Sequence, residues 1–140
     1  MRQILLFAAL AASLALLSGC ALSKTKADTA EDMTGKATYH KLSAEEAYEM
    51  MASQEVVVVD VRTREEYDGG HIENAVLVPN ESIGSETPEA LPDKEATLLV
   101  YCRSGRRSKD AAQKLLKLGY QSVYDFGGVI DWPYELVKEE

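Results

Sequence analysis

Cys102 opens the run Cys102-Arg103-Ser104-Gly105-Arg106-Arg107-Ser108, the part of the 140-residue chain richest in chemistry. A thiol, a glycine and three arginines in so short a run suit the holding of an anion. The apolar run Thr97-Leu98-Leu99-Val100-Tyr101 comes directly before it, and a helical pattern from Lys109 to Leu118 comes directly after. A cysteine at a strand end, followed by a short glycine loop and a helix start, faces loop amides and a helix N-terminus that favour negative charge. A free thiol has a pKa of about 8.5, so only roughly 3% is ionised at neutral pH. Lowering it by about two units, close to ~2.7 kcal/mol, makes it mostly thiolate. One or two charge-assisted hydrogen bonds are enough for that. A merely structural cysteine has no need of the arginines around it.

The elements that must position this thiol alternate along the chain. Tyr39 to Leu42 reads as a first strand. Ser43 and Glu46 form a capping box for a helix from Ala44 to about Ser53. Val56 to Val59 is a continuous β-branched run, expected of a strand buried on both faces. Thr63 and Glu66 form a second capping box, for a short helix ending at Gly69-Gly70. Ala75 to Val78 is a further strand, stopped by Pro79-Asn80, and Glu81 to Lys94 reads as loop with at most a short helix. Thr97 to Tyr101 is the strand before the cysteine. Ala111, Ala112, Leu115, Leu116 and Leu118 give the next helix its apolar face, and Gly119 suits its C-terminus. Ser122 to Phe126 is the last strand. Alternating strands and helices of this kind predict an α/β domain, a central parallel sheet with helices on both faces. Ligands of such sheets bind at the carboxyl ends of strands, where Cys102 lies.

Composition narrows the partners. With 46% apolar and 27% charged residues the chain is of ordinary globular make-up. Its formal charge of -8 is the wrong sign for nucleic acid or for adhesion to anionic lipid. No His, Cys, Asp and Glu set has metal-ligand spacing, and there is no glycine-rich nucleotide loop. A membrane connection comes instead from the N-terminus. Arg2 precedes an apolar run from Ile4 to Leu17, the length of a signal-peptide core and shorter than the roughly 20 residues a spanning helix needs. Leu17-Ser18-Gly19-Cys20 resembles the bacterial lipobox. That resemblance implies acylation of Cys20, which would become the mature N-terminus. The expected division is a lipoprotein signal peptide over residues 1–19, a lipidated cysteine and flexible tether over 20–37, and a domain over 38–140. As a coil the tether reaches roughly 20–25 Å from the membrane. Cys20 would be consumed by lipid, so Cys102 has no disulfide partner in a lipid-anchored, extracytoplasmic protein.

Across the whole domain the residues resemble the rhodanese family of sulfurtransferases. The resemblance rests on Val59-Asp60-Val61-Arg62 with Glu65-Glu66-Tyr67, on Gly70-His71-Ile72 with Asn74-Ala75 and Pro79-Asn80, on Cys102 to Ser108, and on Gly127-Gly128 with Trp132. It implies a rhodanese-like three-layer fold and a catalytic Cys102. The implied thiolate attacks the outer sulfur of a thiosulfate-like donor, becomes a persulfide, and gives the sulfur to cyanide or a thiol. Arg103, Ser104, Gly105, Arg106, Arg107 and Ser108 are the expected substrate cradle, their amides facing the anionic sulfur. The spacing does not tell which arginine faces the pocket, and at least one is expected to be a solvated charge. Asp60, Arg62, His71 and Trp132 are expected to support structure. The family implies no cofactor and small sulfur compounds as partners, and a monomer is expected.

Two rival readings are weighed on the same residues. A cysteine phosphatase or arsenate reductase needs Cys-x5-Arg, and here that position is Ser108, a loop one residue too short for a tetrahedral oxyanion. A non-enzymatic sensing or binding module would have no need of Cys102 within an arginine-rich loop; a sulfur carrier that hands its persulfide to one dedicated partner would need it, and the sequence does not distinguish that carrier from a free-standing enzyme.

Overall fold

The computed structural model describes residues 37–138. The expected signal peptide, Cys20 and nearly all of the tether lie outside the described residues.

Five strands form one sheet: β1 (Thr38–Lys41), β2 (Val57–Asp60), β3 (Val76–Leu77), β4 (Thr97–Cys102) and β5 (Ser122–Gly128), in the order β1-β5-β4-β2-β3. Every pairing is parallel, so all carboxyl ends lie along one edge. The helices are α1 (Ala44–Ser53), α2 (Arg64–Asp68) and α3 (Arg106–Lys117). Both expected capping boxes are present, each with the reciprocal pair of bonds that satisfies two orphan amides at a helix start.

Strand residues alternate between two apolar layers, as the two-residue side-chain period requires. Val59, Leu98, Val100 and Val123 pack with Ala111, Ala112 and Leu115 of α3 on one face. Val58, Leu99, Tyr101 and Phe126 pack with Ala47 of α1 and Tyr67 of α2 on the other. Helices therefore cover both faces of the sheet, and β2 and β4 carry continuous apolar runs because neither of their faces meets water.

Beyond one-residue shifts at β1, β2 and β4, three elements differ from the sequence reading, each for a physical reason. Helix α3 begins at Arg106 rather than Lys109. Gly105, at φ 96°, supplies a left-handed N-cap that no side chain signals, so Arg106, Arg107 and Ser108 are its first turn and not loop. β5 runs on to Gly128, because a bulge opposite Val100 and Tyr101 lets Gly127 pair with Tyr101 and Gly128 with Cys102. Strand β3 shrinks to Val76–Leu77, with the Ala75 amide turned to the Ile72 carbonyl and the Val78 amide bonding the Asp60 carbonyl at the end of β2.

Candidate active site

Cys102 is the last residue of β4, and only Arg103, Ser104 and Gly105 separate it from α3. So short a connection turns the chain back over the sulfur. The Gly105 amide donates to Cys102 Sγ at 3.0 Å. Burial pushes the Cys102 thiol up, but hydrogen bonding from Ser108, Gly105 and Ser104 outweighs it and leaves the pKa below that of an ordinary thiol. Cys102 is only 1% exposed, on the same face of the sheet as α3.

Two glycines let the loop lie this close to β5. A Cβ on Gly128 would collide with the Arg103 carbonyl oxygen and stand 2.6 Å from Ser104 Cα. The Ile130 amide then donates to that carbonyl at 3.2 Å, fastening the loop from below. Gly127 sits at φ 92°, where a side chain would be strained.

The three arginines part ways. Arg107 is turned from the sulfur to Glu66 of α2, with which it forms a two-pronged pair at 2.7 and 2.8 Å. Those bonds, against some burial and with help from the Thr63 amide, pull the Glu66 carboxyl down to about 2. Cys102 and Arg107 still feel each other's charge. Arg103 and Arg106 point their side chains to solvent, with no ion pair among the described residues. Ser108, at the position where a phosphatase needs its arginine, is fully buried, and its hydroxyl meets Asp125 at 2.7 Å.

Asp60 and Arg62 are not at the sulfur. They form a buried ion pair, Nη2 to Oδ2 at 2.6 Å, completed by the Arg62 amide, the Tyr101 hydroxyl and the Gly70 carbonyl. His71 is buried with its ring stacked on Tyr67, and its Nδ1 lies 2.9 Å from the Tyr67 carbonyl oxygen. Trp132 packs edge-on to Tyr48 and Tyr134 and tilted against Phe126. It lines a cleft of about 680 Å³ with Met51, Ile72 and Asn74, and no residue of the cysteine loop lines that cleft. Among the described residues no His, Cys, Asp and Glu group could hold a metal ion.

Sequence reasoning missed two members of the site. The sequence shows Glu66 as a helix cap and as part of the Glu65-Glu66-Tyr67 motif but not as a partner of Arg107, though a side chain with two oxygens can cap and pair at once. Asp125 carried one signal, an acid amid the apolar residues of a central strand.

A family profile described as "Rhodanese-like domain" matches residues 43–133. Among curated proteins, the tRNA uridine(34) hydroxylase of Yersinia pestis (strain Pestoides F) is 34% identical over 98 residues, covering 66% of this chain and 28% of the relative. The enzyme of the same name from Hamiltonella defensa is 34% identical over 121 residues, covering 81% of this chain and 34% of the relative. This chain thus spans about a third or less of the length of these relatives. Among solved structures, a rhodanese with anions from E. coli is 34% identical at TM-score 0.55, covering 61% of this chain and all of the other. A human single-domain sulfurtransferase is 26% identical at TM-score 0.59, covering 66% and 93%.

Proposed function

This chain belongs to the rhodanese-like domain family, and we propose that it is a sulfurtransferase working through a persulfide on Cys102. One observation carries the reading: the Gly105 amide donates to Cys102 Sγ at 3.0 Å within a loop that depresses the thiol pKa. The thiolate attacks the outer sulfur of a thiosulfate-like donor. A new sulfur–sulfur bond forms to Cys102, and the donor's own sulfur–sulfur bond breaks, its electron pair leaving with sulfite. Cyanide or a thiol then attacks the outer sulfur of the persulfide and restores the thiolate. No proton base, oxidant or cofactor enters either step. A sulfur so deeply buried is met best by a slender terminal atom, which a sulfane sulfur is.

The remaining groups divide the work. Amides of Ser104, Gly105 and Ser108 stabilise the anionic sulfur. Arg103 and Arg106, open to solvent, attract the dianionic donor, while Arg107 is held by Glu66 as a fixed charge. The substrate named for the curated relatives is not carried over, because a chain of charge -8 is repelled by tRNA. Intact mass spectrometry after thiosulfate treatment tests the proposal. One added sulfur on Cys102, removed by cyanide, is expected; an unchanged mass overturns it.

The setting is a proposal from the sequence. Leu17-Ser18-Gly19-Cys20 supports acylation at Cys20 and an extracytoplasmic, lipid-anchored domain. Replacing Cys20 by Ser is expected to release the protein from membranes with its sulfur transfer intact, and continued membrane retention overturns the anchor.

A further inference from the structure

Asp125 has no place in the steps above, yet its carboxylate meets four partners, one of them Ser108 in the first turn of α3. It lies in β5, only 1% exposed. Its Oδ2 accepts from the Tyr39 hydroxyl at 2.7 Å and pairs with Lys41 Nζ at 3.2 Å, both from β1. Its Oδ1 accepts from the Gly127 amide at 2.9 Å and from the Ser108 hydroxyl of α3 at 2.7 Å.

Ser108 is the link to the sulfur. Its hydroxyl has the Gly105 carbonyl at 3.1 Å and the Gly127 carbonyl at 3.2 Å as further acceptors. Gly105, whose carbonyl that hydroxyl meets, gives its own amide to Cys102 Sγ at 3.0 Å, and the Ser108 side chain helps to hold the Cys102 thiol pKa down. A serine hydroxyl has one proton to give. An ionised acceptor holds it more strongly than a carbonyl does, so the contest is between the Asp125 carboxylate and the Cys102 thiolate. The contact to Asp125, at 2.7 Å, is the shortest of the three.

We propose that Asp125 is a positioning residue for the Cys102 site, holding the Ser108 hydroxyl beside the sulfur and competing with the sulfur for its single proton. Rotation of that hydroxyl strengthens its hold on the thiolate as charge gathers there, and Asp125 draws the proton the other way. The consequence is chemical. A thiolate with too many donors is plentiful but a poor nucleophile, since nucleophilicity falls with pKa. Asp125 thus keeps Cys102 reactive within a donor-rich loop. The charged groups around this relay are Lys41 with Tyr39 from β1 on the far side of Asp125, and Arg107 from α3, paired with Glu66 of α2, on the side of the sulfur.

The inference deepens the reading of Cys102 as the nucleophile and rests on it. The test is the pH dependence of Cys102 alkylation by iodoacetamide in the full chain, which needs no sulfur donor. Ser108→Ala is expected to raise the Cys102 pKa by about one unit, the worth of one hydrogen bond to a charged group. Asp125→Asn, isosteric but a weaker acceptor, is expected to lower it by about half a unit to one unit. In the Ser108→Ala background the Asp125→Asn shift is expected to shrink to less than half. Tyr39→Phe, which strips a donor from the carboxylate and strengthens it as an acceptor, is expected to move the pKa upward. It keeps the test available if Asp125→Asn does not fold. An equal Asp125→Asn shift in both backgrounds would mean charge acting through space, and overturns the relay. A lowered melting temperature with an unmoved Cys102 pKa would mean a structural role alone, and overturns it as well. A normal coupling in a protein that takes up no sulfur would sink the transfer reading and leave the relay standing.

Discussion

Asp60 and Asp125 are two aspartates of the same sheet, one ending β2 and one in the middle of β5, and both are almost wholly buried. Their surroundings differ in kind. Asp60 is answered by a full guanidinium: Arg62 gives it three side-chain bonds and its own amide, and Tyr101 adds a hydroxyl at 2.6 Å. That carboxylate is held chiefly by a guanidinium fork. Asp125 is answered mainly by neutral donors, two hydroxyls and an amide, plus one half-exposed lysine. A hydroxyl can rotate to another acceptor and a two-pronged guanidinium cannot. Burial of a carboxylate therefore serves rigidity in one part of the sheet and adjustability in the other.

The greatest separation between the two regions should come from Cys102→Ala. It is expected to abolish sulfur transfer while the melting temperature moves by only a few degrees, because the lost group is small; retained transfer would break the assignment of chemistry to the Asp125 side. Arg62→Ala is the opposite case. It strands a buried carboxylate and is expected to destabilise the fold by about 3–5 kcal/mol. Urea denaturation measures that loss, and an Arg62→Ala protein of unchanged stability would show that the Asp60 region is not the rigid one. Gly128→Ala probes the floor of the loop, where the new methyl must push Arg103 and Ser104 away. A fall of about tenfold or more in persulfide formation is expected, a barrier rise of roughly 1.4 kcal/mol; thiosulfate–cyanide kinetics would read it.

The smallest effect belongs to the bridge between the regions, Glu66 of α2 paired with Arg107 of α3. Glu66→Gln is expected to lower stability by about 1 kcal/mol, since both side chains are partly solvated. The pH dependence has a definite sign. The folded-state carboxyl sits at about 2 against an ordinary value of 4.5, so the pair's contribution is complete above pH 4.5 and lost as pH falls towards 2. The Glu66→Gln variant should lose that part of the acid dependence in urea titrations between those limits, and an unchanged profile would place the bridge outside the stability of the fold.

How much was legible follows the range of the interactions. The capping boxes Ser43–Glu46 and Thr63–Glu66 span three residues and could be read directly. The start of α3 was misplaced by three residues because its N-cap is a backbone conformation at Gly105, with no side chain to announce it. The extension of β5 depends on a bulge, set by register against β4 and invisible in either strand alone. The pairing of Arg107 with Glu66 joins residues 41 positions apart, so the most buried arginine of the loop was also the one whose partner could not be named.

The sequence by itself determined the order of strands and helices, the two apolar layers and the thiol at a strand end, because periodicity, capping and glycine placement act over a few residues. It also held Asp60 and Arg62 within two positions of each other. Tertiary structure alone decided which amides meet the sulfur, which arginine is tied, and that Asp125 stands behind Ser108. Tyr39 and Ser108 reach Asp125 from 86 and 17 residues away, and only the closing of the sheet by β1 and the packing of α3 bring them there. One hydroxyl proton between two acceptors is a matter of tenths of an ångström, a length that packing fixes and a linear pattern does not encode.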